Sequence, residues 1–427
     1  MKYAFTNGII LNGNEDMTPE AGLTVLVSED KIVRIAPDKE CDTTGYEVID
    51  LKGKYLLPGL VNLHVHIPAS GKPKKKPTDA RKLVRLVTSN ALTRKYAEIM
   101  YKSYVKTELM SGVTTLRSVG GIETYDTWIR DLIKAGKVDG PRILAGDMAV
   151  SVPGGHMAGS LAYEATSPAE GADFVRKIAE AKPDLIKLMI TGGVLDATEK
   201  GEPGVLRMSP SIVKACCKEA HRLGLPVAAH VESPEGVKVA LENGVDTIEH
   251  GAKTTPEILE LFKSRKAVHI ATLSPALPYA LFDRSVSYCD EMSQFNGKVV
   301  FDGIIDCAKN CLAEGIPVGL GTDTGCPFIT HYDMWREVNY FHKFCDVSTT
   351  FALYTATKRN AEIVGLGDVT GSIEEGKCAD LIACEGNPLE DLSRLRSLSL
   401  VMARGKLFMD PKVKKMPQCE EALDKFL

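Results

Sequence analysis

Eight short apolar runs, spread over residues 55–321 and parted by helical patterns, constrain this chain more than any other feature. They lie at 55–66, 112–119, 142–150, 184–190, 226–231, 246–250, 267–273 and 317–321. Helical stretches at 124–136, 168–181, 209–223, 234–243, 255–264 and 299–314 separate most of them. The runs are apolar almost throughout instead of alternating, the pattern of parallel strands covered on both faces. Eight such strands with crossover helices close into a (β/α)8 barrel. The two ends read as β: residues 3–12, 22–36 and 47–51, then 373–384 and 398–408, with turn signals such as Asn12-Gly13-Asn14 and Arg404-Gly405-Lys406. The expected fold class is α/β, a distorted TIM barrel over 57–365 with a small β-sandwich. The N-terminal segment (1–56) and the C-terminal segment (366–427, with its tail) form that sandwich.

Composition narrows the function classes. With 427 residues, 44% hydrophobic and 25% charged, the chain has enough apolar content for a large core, which excludes global disorder. A net charge of −4, spread along the chain, speaks against a nucleic-acid binder or a polybasic membrane anchor. No apolar stretch reaches the roughly 20 residues of a membrane helix, and the first residues lack the apolar core of a secretory signal. Eleven cysteines, with Cys216 and Cys217 adjacent and no CxxC pair, read as free thiols in a reducing cytoplasm. The expected partner is a small-molecule substrate, with neither nucleic acid nor membrane; a homo-oligomer is compatible with the sequence.

In such a barrel, chemistry sits at the C-terminal strand ends, and there the histidines collect. His64 and His66 end the first run; two-residue spacing on a strand puts both side chains on one face, able to chelate one ion. His230 ends the fifth run, His250 the sixth, and Asp323 the eighth. A lone histidine at a strand end is usually a hydrogen-bonded structural residue, but four with an aspartate at equivalent ends point to a metal site. His156 follows the third run in Pro153-Gly154-Gly155-His156. His221, His269 and His342 read as structural, and His331, after the eighth run, is a candidate for substrate contact.

Lys187 lies in the apolar fourth run. A lysine there is costly unless neutralised or paired. Burial favours the free amine, which can take up CO2 as a carbamate, a carboxylate-like ligand able to bridge two ions. The plainer alternative is a lysine that snorkels or pairs with an acid. Arg117 is open to two readings, a bidentate clamp for a substrate carboxylate or a structural ion pair. The basic run Lys72-Pro73-Lys74-Lys75-Lys76-Pro77 after the first strand reads as a solvated loop, with a lid for anionic substrates as the alternative. Cys326, three residues past Asp323, lies near the expected site and reads as packing.

These residues resemble the amidohydrolase superfamily over nearly the whole chain. The likeness is carried by Leu57-Pro58-Gly59-Leu60-Val61-Asn62-Leu63-His64-Val65-His66 and by Gly371-Ser372-Ile373-Glu374-Glu375-Gly376-Lys377-Cys378-Ala379-Asp380-Leu381. The set His64, His66, Lys187, His230, His250 and Asp323 looks like the binuclear subtype with a carbamylated lysine. The segments Gly112-Val113-Thr114-Thr115-Leu116-Arg117, Pro153-Gly154-Gly155-His156 and Lys187 to Thr191-Gly192-Gly193-Val194 are similar to the prolidase-like and imidazolonepropionase-like branch. That branch includes dipeptidases for Xaa-Pro or Xaa-Arg and amidases for N-acyl amino acids such as ochratoxin.

The resemblance implies a metal-dependent hydrolase that cleaves amide C–N bonds of dipeptide-like or N-acyl amino acid substrates. It implies two divalent ions, Zn2+ by expectation, sharing the Lys187 carbamate (N6-carboxylysine) and a hydroxide. His64, His66 and Asp323 would hold one ion, His230 and His250 the other. Asp323 would take the hydroxide proton and pass it to the leaving amine, and His156 would hold the oxyanion or a substrate carboxylate. Three positions depart from the pattern: Asn62 and Ser118 stand where many members carry Asp, and Glu232 where dipeptidases carry a carboxylate-binding Tyr. A carboxylate repels a carboxylate, so Glu232 instead suits a cationic or amine-bearing substrate, or simply opens the next helix. The alternatives on the same fold are a cyclic-amide hydrolase and an aromatic deaminase; deaminases lack the strand 4 lysine and place Glu where this chain has Ser233. A non-catalytic relative that lost its ligands is the third reading, and all six ligand positions being filled speaks against it.

Overall fold

The computed structural model describes residues 1–75 and 79–427. Its barrel strands, first to eighth, are Leu60–Val65, Val113–Ser118, Arg142–Leu144, Ile186–Met189, Val227–Val231, Thr247–His250, Val268–Ala271 and Val318–Leu320. The first three pair in parallel, as do the fourth to the eighth. The ring closes where the eighth returns to the first: the Asp323 N–H donates to the His64 carbonyl (2.8 Å) and the His66 N–H to that of Thr324 (2.9 Å). Gly321 permits this approach, because a Cβ there would stand 2.4 Å from the His64 Cβ. The fold is thus the α/β barrel expected.

Two runs divide where the sequence suggested single strands. In the third, Arg142–Leu144 pairs with the second strand, while Ala149–Ser151 pairs with the fourth and with an added strand, Ala162–Glu164. Between them Asp147 adopts φ 54° and accepts from the N–H groups of Asp126 (3.1 Å) and Thr127 (2.9 Å) in the first turn of Tyr125–Lys134. Serving that helix end takes the chain out of the ladder, which distorts the barrel. In the first run, Tyr55–Pro58 leaves the barrel and pairs antiparallel with Leu381–Cys384. It joins a six-stranded sheet built from both ends of the chain. A four-stranded sheet of Lys31–Pro37, Leu23–Ser28, Lys2–Thr6 and Glu47–Asp50 covers it. Phe5, Val27, Leu56, Leu381 and Met402 are buried between the two.

Helices Ala80–Thr88 and Ala91–Met110 follow the first strand, where no helix was expected. In the longer one Ala97, Tyr101, Val105 and Leu109 recur every fourth residue and are buried, but Ala and Tyr blur the stripe. Helix Leu273–Leu281 also went unread: it lacks a capping side chain of its own, and the buried Glu337 carboxylate accepts from the Leu273 (2.7 Å) and Ser274 (2.8 Å) N–H groups instead. The tail ends in helix Pro417–Leu423, tied to the barrel by buried Arg336, which contacts Glu420 (2.9 Å) and Asp424 (2.7 Å). Of the basic run, Lys76 and Pro77 lie outside the described residues; Lys72, Lys74 and Lys75 border the barrel mouth beside Tyr279 and Pro327. All eleven cysteines are free, and no described helix is long and apolar enough to cross a membrane.

Candidate active site

The strand ends bring His64, His66, Lys187, His230, His250 and Asp323 around one cavity of about 210 Å3. Ring centroids of His64 lie 5.4 Å from His66 and 4.9 Å from His250, and those of His230 and His250 are 4.7 Å apart. Each imidazole has one nitrogen tied to the protein. Nδ1 of His64 meets Glu249 Oε2 at 2.8 Å, and Nδ1 of His66 donates to the Gly120 carbonyl at 2.9 Å. Nδ1 of His250 meets the Thr272 hydroxyl at 2.7 Å, and Nε2 of His230 donates to the Gly192 carbonyl at 3.2 Å. A carbonyl only accepts, so His66 and His230 present a bare nitrogen on the other side, as metal ligands do. His250 and Asp323 have φ 66° and 54°, unusual for residues other than glycine and typical of functional positions.

The donor set fits a divalent-metal centre on a direct observation. His64 Nε2, Lys187 Nζ, Asp323 Oδ1 and Glu232 Oε2 are buried and make no hydrogen bond. Four such atoms around one cavity would each cost roughly 1–3 kcal/mol without a partner, and a cation repays the His64 nitrogen and the Asp323 oxygen together. Asp323 Oδ1 stands 3.3 Å from His66 Nε2 and 3.6 Å from His64 Nε2. Donor atoms of His64, His250 and Asp323 converge within 4.8 Å, as do those of His230, Glu232 and His250. Burial, followed by the Lys187 charge, holds His64 well below the ordinary imidazole range. Burial, followed by neighbouring histidines, does the same to His230 and His250. Neutral imidazole is the ligating form. Burial also pushes the Lys187 amine down to about 8.

The other predicted residues separate. His156 stacks on His230 at 4.2 Å with rings 5° from parallel, and its Nδ1 meets Asp196 Oδ2 at 2.5 Å. Glu232 also borders the cavity; burial, with repulsion from Asp323 and Asp196, pushes its carboxyl up to about 8. Arg117 does not reach the cavity and corrects the clamp reading. Its guanidinium is buried and committed to Glu249 (2.7 and 2.8 Å), Thr247 Oγ1 (3.1 Å) and the Leu63 carbonyl (2.7 Å), so it is a structural ion pair. His331 is likewise turned away: it stacks on Tyr104, bonds Glu108 and the Ala69 carbonyl, and does not line the cavity. His221 pairs with Asp246 and His342 with the Val347 carbonyl, both outside the site. Cys326 lines the cavity.

Two residues escaped sequence reading. Glu249 is fully buried behind His64 and joins it to Arg117. Its signal was there: an acid inside the apolar run 246–250 is as costly as Lys187 in its own. Asp196 orients His156 from the short turn Val194–Asp196, where nothing in the local pattern marks it. Pro275, Ala276, Tyr279, Val300 and Ile304 form an apolar wall.

Comparison with known proteins identifies the family. Residues 55–408 match the model of the Amidohydrolase family. A solved structure from Bifidobacterium longum, provisionally described as a prolidase, superposes with a TM-score of 0.88 at 33% identity, over 99% of this chain and 98% of that one. Ochratoxinase of Aspergillus niger is 27% identical over 347 residues, 75% of this chain and 70% of its own. A 5-methylthioadenosine/S-adenosylhomocysteine deaminase of Bacillus cereus is 25% identical over 404 residues, 90% of this chain and 86% of its own. The family match spans most of the chain, and the fold is shared with these structures: the chain belongs to the amidohydrolase family.

Proposed function

We propose that this hydrolase cleaves amide C–N bonds of dipeptide-like or N-acyl amino acid substrates. The observation that carries the reading is the set of unpartnered, buried donors His64 Nε2, Lys187 Nζ and Asp323 Oδ1 among three further strand-end histidines. In this reading His64, His66 and Asp323 would hold one divalent ion and His230 and His250 a second, with Lys187, as its carbamate, a further ligand. Bound there, Zn2+ or a similar ion supplies a water ionised near neutral pH and a Lewis acid for the scissile carbonyl. With its amine near 8, Lys187 is neutral in about one chain in ten at pH 7, against fewer than one in a thousand at the ordinary lysine value. Neutral amine is the form that takes up CO2.

The protein's own groups do the rest. Asp323, against both first-strand histidines, receives the nucleophile's proton and returns it to the leaving nitrogen. His156, oriented by Asp196, donates toward the carbonyl oxygen as it gains charge. The apolar wall takes the hydrophobic part of the substrate. Burial favours the neutral Glu232 carboxyl, and a substrate ammonium placed against its unpartnered oxygen would hold it as the carboxylate and donate to it. Glu232→Gln should therefore lower kcat/KM for amine-bearing dipeptides about ten- to a hundredfold relative to their N-acetylated analogues, the range of a charge-assisted hydrogen bond. An unchanged ratio removes this role.

Purified protein should carry about two divalent ions per chain, measured by elemental analysis; a content near zero would sink the metallohydrolase reading. Screening a library of dipeptides and N-acyl amino acids tests the substrate class. The deaminase reading keeps one specific support, the unpartnered Glu232 oxygen close to His230 and His250. Ammonia release from aminated heteroaromatics, with no amine released from the amide library, would favour it.

A further inference from the structure

A second convergence of ligating side chains lies behind the strand-end site. His269 of the seventh strand and Cys307 and Cys311 of helix Glu291–Ala313 place one donor atom each within 4.8 Å of one another, and all three residues are buried. Spacing of four puts both thiols on one helix face. Their sulfurs are 4.0 Å apart. Two thiolates held about 2.3 Å from one ion stand about 4.0 Å apart when the angle at the ion is trigonal. The imidazole is set for the same role. Its Nε2 donates to the His250 carbonyl at 2.7 Å, which leaves Nδ1 as the lone-pair nitrogen. That Nδ1 is buried without a conventional hydrogen-bond partner, and the ring interacts with the Cys307 thiol beside it.

We propose that His269, Cys307 and Cys311 form a second metal site, distinct from the strand-end centre, that takes one thiophilic d10 ion through two thiolates and one imidazole. The donor chemistry selects the class: two sulfurs and a nitrogen suit Cu+ or Zn2+ and are foreign to Mg2+, Ca2+ and Mn2+. Binding displaces the two thiol protons to solvent, so the ion enters a site of charge −2 and no oxidant or reductant takes part. The site ties the helix that carries Val300 and Ile304 of the cavity wall to the seventh strand and, through His269, to the backbone of His250. An ion there therefore braces the wall of the substrate cavity.

The plainer arrangement, an imidazole beside two packed thiols, needs no ion, and the test separates the two. Full-length Cys326→Ser protein removes the one thiol that lines the strand-end cavity. It is given Zn2+ alone or, under reducing and anaerobic conditions, Cu+ alone, then freed of loose metal by gel filtration. The expected result with at least one ion is sulfur scattering near 2.3 Å in its X-ray absorption spectrum, with about one equivalent more metal than in Cys326→Ser/Cys307→Ser. The strand-end donors are nitrogen and oxygen only, so they contribute no sulfur signal. Absence of sulfur scattering with both ions overturns the proposal even where the double variant fails to fold. Retention of the signal in a folded double variant overturns it as well.

Discussion

Lys187→Ala is expected to lower kcat/KM by at least about a thousandfold and to cut the metal content from about two ions per chain to one or fewer. Truncation removes the group that, in the proposed reading, joins the two halves of the donor set, His64 and His66 on one side and His230 and His250 on the other. The rest of the barrel should stand: Lys187 Nζ makes no hydrogen bond, so its loss leaves no buried partner behind. The stability of the metal-free variant, compared with metal-free parent, should therefore change little or rise. Short carboxylates such as acetate or propionate, added in excess, should restore part of the rate, because the void beside the histidines admits a small acid in place of the proposed carbamate. A fully active variant with its metal intact would refute the ligand role. A variant that unfolds would instead make Lys187 a packing residue, a result its unpartnered amine argues against.

The barrel and its strand-end residues were legible because both follow simple rules. Buried parallel strands write continuous apolar runs, and polar residues at their C-terminal ends face the mouth. His64, His230, His250 and Asp323 stand where an apolar run meets its loop, and Lys187 stands out as a charge inside its own run. What failed to show was of another kind. Arg117 and Glu249 are separated by 132 residues and meet only once the strands are ranked around the barrel. From sequence alone, each is an isolated charge with two fates. The break in the third strand has the same origin: Asp147 leaves the ladder to serve a helix end, and the partner of a capping side chain is not written beside it. Glu337, capping Leu273–Leu281 from 63 residues away, hid that helix in the same way.

The buried pair has consequences that separate stability from metal binding. Glu249→Ala is expected to cost roughly 3–5 kcal/mol, because it leaves the Arg117 guanidinium buried without its counter-charge. For a chain of this size that is a fall in Tm of about 3–6 °C. The same change frees His64 Nδ1, held at 2.8 Å, and so loosens a ring that has no other partner on that side. Metal affinity should fall about ten- to a hundredfold, the usual effect of removing the group that orients a ligating histidine. Removing both charges at once, in Arg117→Met/Glu249→Leu, should recover most of the stability, since an apolar pair of similar volume replaces an ion pair at little net cost. It should not recover the affinity, because His64 still lacks its acceptor. Thermal unfolding of the metal-free proteins and competition with a chelator measure the two quantities independently. If the double variant regains both, Glu249 serves only to neutralise Arg117. If it regains stability alone, one buried carboxylate does two jobs, balancing the charge behind the barrel and aiming the histidine in front of it.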